Sequence, residues 1–282
     1  MGSETTIRRS DGRRMLQDRL DRVVFHPLAA RLAIVLARTS VSPNAVSVAG
    51  AFLIVCAGVV YVLPVYPGAA LLGLVIHLGW HVLDGADGDL ARMTGRASPA
   101  GEIIDGVCDY AGHAALYLIL AAHLSQSIGP AAWIVAIAAG ISRVFQAAFY
   151  EAQRRQFLQW VEGTPFIRST GTRQAGPVLG WLGSCYVRLV DRIAPEAGLI
   201  DAVLFDADRA LGLRQRLESI GTAGLSGNAL LGANCRTVAL GLSMLAGSPL
   251  WYFLYEVTVL NAVLLQARHS AKHNLISLRE VV

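Results

Sequence analysis

Apolar residues fall into six long runs along the chain, at about 45–63, 67–86, 104–124, 130–150, 229–246 and 249–269. Each is near the ~20 residues that a helix needs to cross a bilayer. Two kinds of connection alternate between them. Those at about 64–67, 125–130 and 247–249 carry no charge. The N-terminal segment, the Arg92–Arg96 turn, the stretch 151–228 and the tail with Arg268, Lys272 and Arg279 hold nearly all the arginines. Positive charge stays on the cytosolic side of a membrane. The alternation therefore predicts an all-α, multi-pass integral membrane protein with six transmembrane helices and both termini in the cytosol.

Ahead of the first run, Leu16, Leu20, Val24, Leu28, Leu32 and Leu36 recur every four residues against Arg13, Asp18, Arg22 and Arg31. This pattern over 11–38 predicts an amphipathic helix lying in the membrane interface. Ser42-Pro43-Asn44 breaks it. The stretch 151–228 is too charged to span and is punctuated by glycines. Trp181, Tyr186, Leu199, Ile200, Leu204 and Phe205 give it apolar surface to dock, so a cytosolic helical insertion between spans four and five is expected. The organisation is then an N-terminal cytosolic or interfacial segment 1–43, a membrane domain 44–270 that carries the 151–228 insertion, and a cytosolic tail 271–282.

Composition agrees. The chain is 54% hydrophobic and only 16% charged, with mean hydropathy +0.48, against about 25% charged residues in soluble domains. The net charge is +4, and all cationic side chains but Lys272 are arginine. They alternate with the spans instead of clustering, which argues against nucleic acid and for topology and lipid or phosphate contact. Cys56, Cys108, Cys185 and Cys235 are scattered without metal-like or redox spacing and read as small buried hydrophobes. No apolar run precedes about residue 23, so no cleavable signal peptide is expected.

The chemistry is concentrated in Asp84-Gly-Ala-Asp87-Gly88-Asp89-Leu-Ala91-Arg92, eight further residues, then Gly101-Glu-Ile-Ile-Asp105-Gly-Val-Cys-Asp109. Asp84/Asp87 and Asp105/Asp109 stand at i, i+3 and i, i+4, which puts each pair on one helix face. Acidic groups at the edge of a membrane segment are costly and rarely idle. Four that converge without four cations to match them call for divalent metal, and Mg²⁺ or Mn²⁺ prefers carboxylate oxygen. Asp89 and Glu102 fall outside the pattern and read as water-facing caps or salt-bridge partners.

This segment, DxxDGxxAR-x8-GxxxDxxxD, resembles the signature of the CDP-alcohol phosphotransferase family, membrane enzymes that build phospholipid head groups. Every position and spacing of that signature matches. The resemblance implies transfer of a substituted phosphate from a CDP-alcohol, such as CDP-diacylglycerol, to an acceptor alcohol with release of CMP. One of the two partners would be lipidic and the active site would lie at the cytosolic face, in a bacterial inner membrane. It implies two divalent ions held by Asp84, Asp87, Asp105 and Asp109, with Asp109 also the general base. It assigns Gly88, Ala91, Arg92 and Gly101 to CDP binding. Ser42-Pro43-Asn44 is similar to the family's Thr-Pro-Asn, which adds Asn44 as a nucleotide contact. Homodimerisation is the family's habit.

The residues themselves leave a hydrolase of the same architecture open, because Asp109 could activate water as well as an alcohol. A transporter or scaffold fits less well, since the polar groups gather at one membrane face and the two halves show no repeat. Arg143, late in the fourth span, and Arg154 are candidate acceptor-phosphate ligands; the alternative for both is anchoring at the interface. Arg236 and Glu256 sit on adjacent spans and are expected to pair. His113, one turn beyond Asp109, is expected to be a satisfied core histidine.

Overall fold

The computed structural model describes residues 20–157 and 228–279, with a few helical positions between 177 and 192. Among the described residues every regular element is helical. A five-residue π turn, Asp21–Phe25, leads into α1 (His26–Leu36). There follow α2 (Pro43–Tyr61), α3 (Gly68–Met93), α4 (Pro99–Ile128), α5 (Ala131–Phe157), a 3₁₀ turn at Ala229–Leu231, α6 (Ala233–Leu245), α7 (Leu250–Val257) and α8 (Val259–Arg279).

The first spans start alike. Ser42 caps α2 by accepting from the Ala45 N–H, and Ser98 caps α4 by accepting from Gly101 N–H; a proline at the first helical position follows each. The serine oxygen satisfies an otherwise unpaired amide, and the proline contributes no amide that needs a partner. α3 closes with Gly95 in the left-handed region (φ 66°) and Arg96 N–H on the Ala91 carbonyl at 2.9 Å, the usual glycine-terminated helix end. Only residues 94–98 separate α3 from α4, so the two halves of the acidic motif are forced back to back.

α2 packs against both α3 and α4, α4 leans on α5, and α6 and α7 close the ring between α3 and α5. All six contribute to one core, from Ile54 and Tyr61 through Trp80, Leu116 and Leu120 to Leu240 and Phe253. Close approach of α4 to α2 depends on Gly112, where a Cβ would meet the Ala51 backbone at 3.2 Å.

Five stretches are long and apolar enough to cross a membrane: Pro43–Tyr61, Gly68–Met93, Pro99–Ile128, Ala131–Arg154 and Leu250–His273. The remaining run, 229–246, is interrupted. Gly232 is extended (φ −71°, ψ 157°), so the 3₁₀ turn stops there and α6 begins afresh, leaving 13 helical residues. The Tyr66 hydroxyl donates to the Leu245 carbonyl at 2.6 Å. The C-terminal end of α6 thus lies at the same end of the bundle as the α2–α3 connection. The expected insertion 151–228 lies mostly outside the described residues.

The N-terminal helix docks on α3 through Phe25, Ala29 and Ala33. Phe25 stacks on His81 at 4.9 Å, and α1 crosses α3 where a Cβ on Gly85 would come within 3.0 Å of Ala29 Cβ. Leu20, Val24 and Leu28 of the expected stripe face away from the protein, each about two-fifths exposed (41%, 40% and 44%), while Leu32 and Leu36 are half-buried. The segment 1–19, including Leu16, lies outside the described residues.

One polar knot holds α4, α5, α6, α7 and α8 together. Arg236 and Glu256 pair as expected, through Arg236 Nη1 at 2.7 and 2.8 Å. The Tyr252 and Tyr117 hydroxyls donate to Glu256 Oε1 at 2.6 and 3.2 Å. Arg236 Nη2 donates to Gln146 Oε1, and Gln146 Nε2 to Asn261 Oδ1. Removing one partner of a buried ion pair typically costs about 3–5 kcal/mol, because the other charge is stranded. Glu256→Leu is therefore expected to destabilise the detergent-solubilised protein by about that amount. Thermal unfolding checks it, and a midpoint equal to that of the unmodified protein would show that the pair does not stabilise the bundle.

Candidate metal and nucleotide site

Asp84 and Asp87 lie near the C-terminal end of α3; Asp105 and Asp109 lie early in α4. The short turn between the helices makes the pairs converge. Oxygens of Asp84, Asp105 and Asp109 all fall within 4.8 Å of one another. Asp87 is buried beside them and accepts a short hydrogen bond from Ser47 Oγ on α2. Carboxylates this close repel one another unless they share a proton or a cation sits among them. The ion pairs formed by the described residues leave all four out: Arg92 bonds Asp89 at 2.7 Å, Arg154 bonds Glu151 at 3.2 Å, and Arg143 and Arg236 turn to Glu256. An oxygen-only donor set of this kind fits Mg²⁺ or Mn²⁺. The residues present are compatible with such ions.

The other motif positions border the cluster. Arg92 is largely exposed (62%) at the end of α3, and a Cβ on Gly88 would come within 3.3 Å of its guanidinium. Ala91 sits between them in sequence, half-buried. Gly101 and Asn44 are brought together, although 57 residues apart: a Cβ on Gly101 would lie 3.7 Å from Asn44 Oδ1 and 3.3 Å from Ser98 Oγ. The starts of α2 and α4 therefore meet beside the carboxylates.

Arg143 is not at this rim. Its Nη1 lies 3.3 Å from the Tyr252 hydroxyl and 3.8 Å from Glu256, and its guanidinium is over the Tyr117 ring. His113 is buried, and its Nδ1 is 2.8 Å from the Asp109 carbonyl oxygen. A carbonyl only accepts, so Nδ1 carries the proton there.

Two contacts of the cluster were not singled out from the sequence, Ser47 on Asp87 and the Trp80 indole on Asp109 (Nε1 to Oδ1, 3.0 Å). Both had a faint signal. Ser47 follows Asn44 by three residues and Trp80 precedes Asp84 by four, so each shares a helix face with a motif position.

Residues 40–163 match the model of the CDP-alcohol phosphatidyltransferase family. The match runs from just before the Ser42 cap through α2, α3 and α4 and along the whole of α5, so it takes in every motif aspartate. A search among curated proteins gave no match.

Proposed function

We propose that the chain is a membrane phosphotransferase that moves a substituted phosphate from a CDP-alcohol to an acceptor alcohol and releases CMP. The observation that carries this reading is the convergence of Asp84, Asp105 and Asp109 within 4.8 Å, inside the signature segment that the family match covers. In the reaction the acceptor oxygen attacks the phosphorus that bears the donor alcohol. A new P–O bond forms, the bond to the CMP oxygen breaks, and the acceptor's proton goes to a base.

Asp84, Asp87 and Asp105 would hold the ions, with Asp109 completing the set. Two divalent ions bound there would neutralise charge on the phosphoryl oxygens and favour departure of CMP. Ser47 fixes Asp87. Asp109 would take the acceptor's proton. Gly88, Ala91 and Gly101 leave the backbone open to a nucleotide, Arg92 offers a planar fork of donors to its phosphates, and Asn44 stands beside Gly101 to contact it. Arg143 and Arg154 remain proposed acceptor ligands only if each exchanges its present carboxylate for a phosphate. CDP-diacylglycerol and CDP-linked head groups, each offered with Mn²⁺ and a panel of lipidic and polar alcohols, test the reading by CMP release. Release that needs neither a second alcohol nor any change in it would assign the hydrolase instead, and no release from any donor would sink both.

We also read α6 as a short fifth pass of six, which the Tyr66–Leu245 contact supports, and place the carboxylates on the cytosolic face with both termini. In a chain whose four native cysteines are replaced by alanine, Tyr66→Cys and Gln126→Cys are expected to react with an impermeant thiol reagent from outside intact cells. Arg96→Cys and Val282→Cys are expected to stay protected. Labelling at 282 together with 66 would mean five passes.

A further inference from the structure

The indole of Trp80 has an unusual environment for an aromatic in a membrane bundle. It is 4% exposed, and its N–H is directed across the α3–α4 interface to Oδ1 of Asp109 at 3.0 Å. The ring has little freedom to leave that contact. The His113 ring meets it edge-on with centroids 4.7 Å apart, and the His81 ring lies 4.5 Å away. On the α2 side a Cβ added to Gly50 would lie 3.3 Å from Trp80 Cδ1, so glycine there leaves the indole its slot. His113 in turn donates Nδ1–H to the Asp109 main-chain carbonyl at 2.8 Å. Asp109 is thus gripped at its backbone by one ring and at its carboxylate by another, and those two rings pack on each other.

From this geometry we infer that Trp80 is a positioning residue for the reaction, holding the Asp109 carboxylate in the rotamer that faces the acceptor hydroxyl. The inference rests on the phosphotransferase reading above. An indole N–H is suited to the task because it donates only and has no lone pair with which to take the proton. It occupies part of Oδ1 and leaves the rest of the carboxylate free toward Asp84 and Asp105. Without that hydrogen bond the carboxylate can rotate, and a small misplacement of a catalytic group lowers the rate of the chemical step rather than ground-state binding.

The test is a set of substitutions read by steady-state CMP release and by CDP-alcohol binding. Trp80→Phe keeps an aromatic ring and removes the N–H; kcat is expected to fall roughly 10- to 100-fold, the range for a hydrogen bond to a charged group, with KM for the CDP-alcohol changed less than about twofold. Trp80→His loses more packing than Phe but carries Nε2 at the ring position of the indole nitrogen, so it is expected to turn over faster than Trp80→Phe. In an Asp109→Asn background the Phe substitution should cost little more, since the group it positions is gone. A Phe variant with undiminished kcat, a His variant slower than Phe, or equal fold losses in both backgrounds would each overturn the inference and assign Trp80 to packing. The unmodified protein separates this from a failure of the underlying reading: if it releases no CMP, the reaction assignment fails, and if it does while Trp80→Phe matches it, only the role of Trp80 fails.

Discussion

Excess EDTA is expected to abolish CMP release, and Mg²⁺ or Mn²⁺ to restore it. The expectation follows from the ring of oxygens that Asp84, Asp105 and Asp109 present within 4.8 Å, and from the arginines nearby being engaged elsewhere. Phosphoryl transfer asks the protein mainly to position the reactants and to neutralise charge. Among the described residues Arg92 is the cation of the signature segment that lies by the cluster, and it stands at the rim. A readout independent of turnover accompanies the prediction. An ion that binds only the folded state stabilises it by about 2.7 kcal/mol at a hundredfold excess over its Kd. Mn²⁺ should therefore raise the unfolding temperature of the unmodified protein, and much less that of Asp84→Asn. Undiminished turnover in excess chelator, with no thermal shift, would remove the metals from the proposal.

What could be read from the chain depended on whether local spacing or tertiary register decided the outcome. Asp84/Asp87 and Asp105/Asp109 were legible because helical periodicity alone puts each pair on one face, and the short 94–98 turn does the rest. The spans were legible because a bilayer demands long apolar runs. Gly232 shows where that reasoning stops: one extended glycine inside an apolar run divides it into a 3₁₀ turn and a 13-residue helix, and hydropathy is blind to the break. The orientation of α1 was hidden for a related reason. In lipid, apolarity does not distinguish inside from outside, and small residues mark the packed face. Ala29 and Ala33 are buried while Leu20, Val24 and Leu28 are outside. Arg143 was legible as a charge needing an explanation, but its partners Tyr252 and Glu256 lie more than 100 residues later. The Trp80–Asp109 bond depended on the register between α3 and α4, and the spacing of Trp80 four residues before Asp84 puts it on the right face of α3 without naming its partner.

Asp109→Asn and Asp105→Asn are expected to fail in different ways. Both residues sit on one face of α4, and both contribute to the oxygen cluster. Asp109 is held by the Trp80 N–H on its side chain and by His113 on its carbonyl. Asparagine keeps the shape and one acceptor oxygen but takes no proton at neutral pH. Loss of a general base typically costs ~10²–10⁴-fold in rate, so Asp109→Asn should turn over that much more slowly even at saturating Mn²⁺, with CDP-alcohol binding retained. Asp105→Asn should instead shift the Mn²⁺ concentration needed for half-maximal rate, since it removes a charge from the ion cage and leaves the base in place. Rate against Mn²⁺ concentration for both variants, with CDP-alcohol binding alongside, makes the distinction. Near-normal turnover of Asp109→Asn at saturating metal would place the base elsewhere. His113 would then be the first group to test: donating Nδ1–H to the Asp109 carbonyl leaves its Nε2 lone pair to take a proton, although the ring is buried against Trp80.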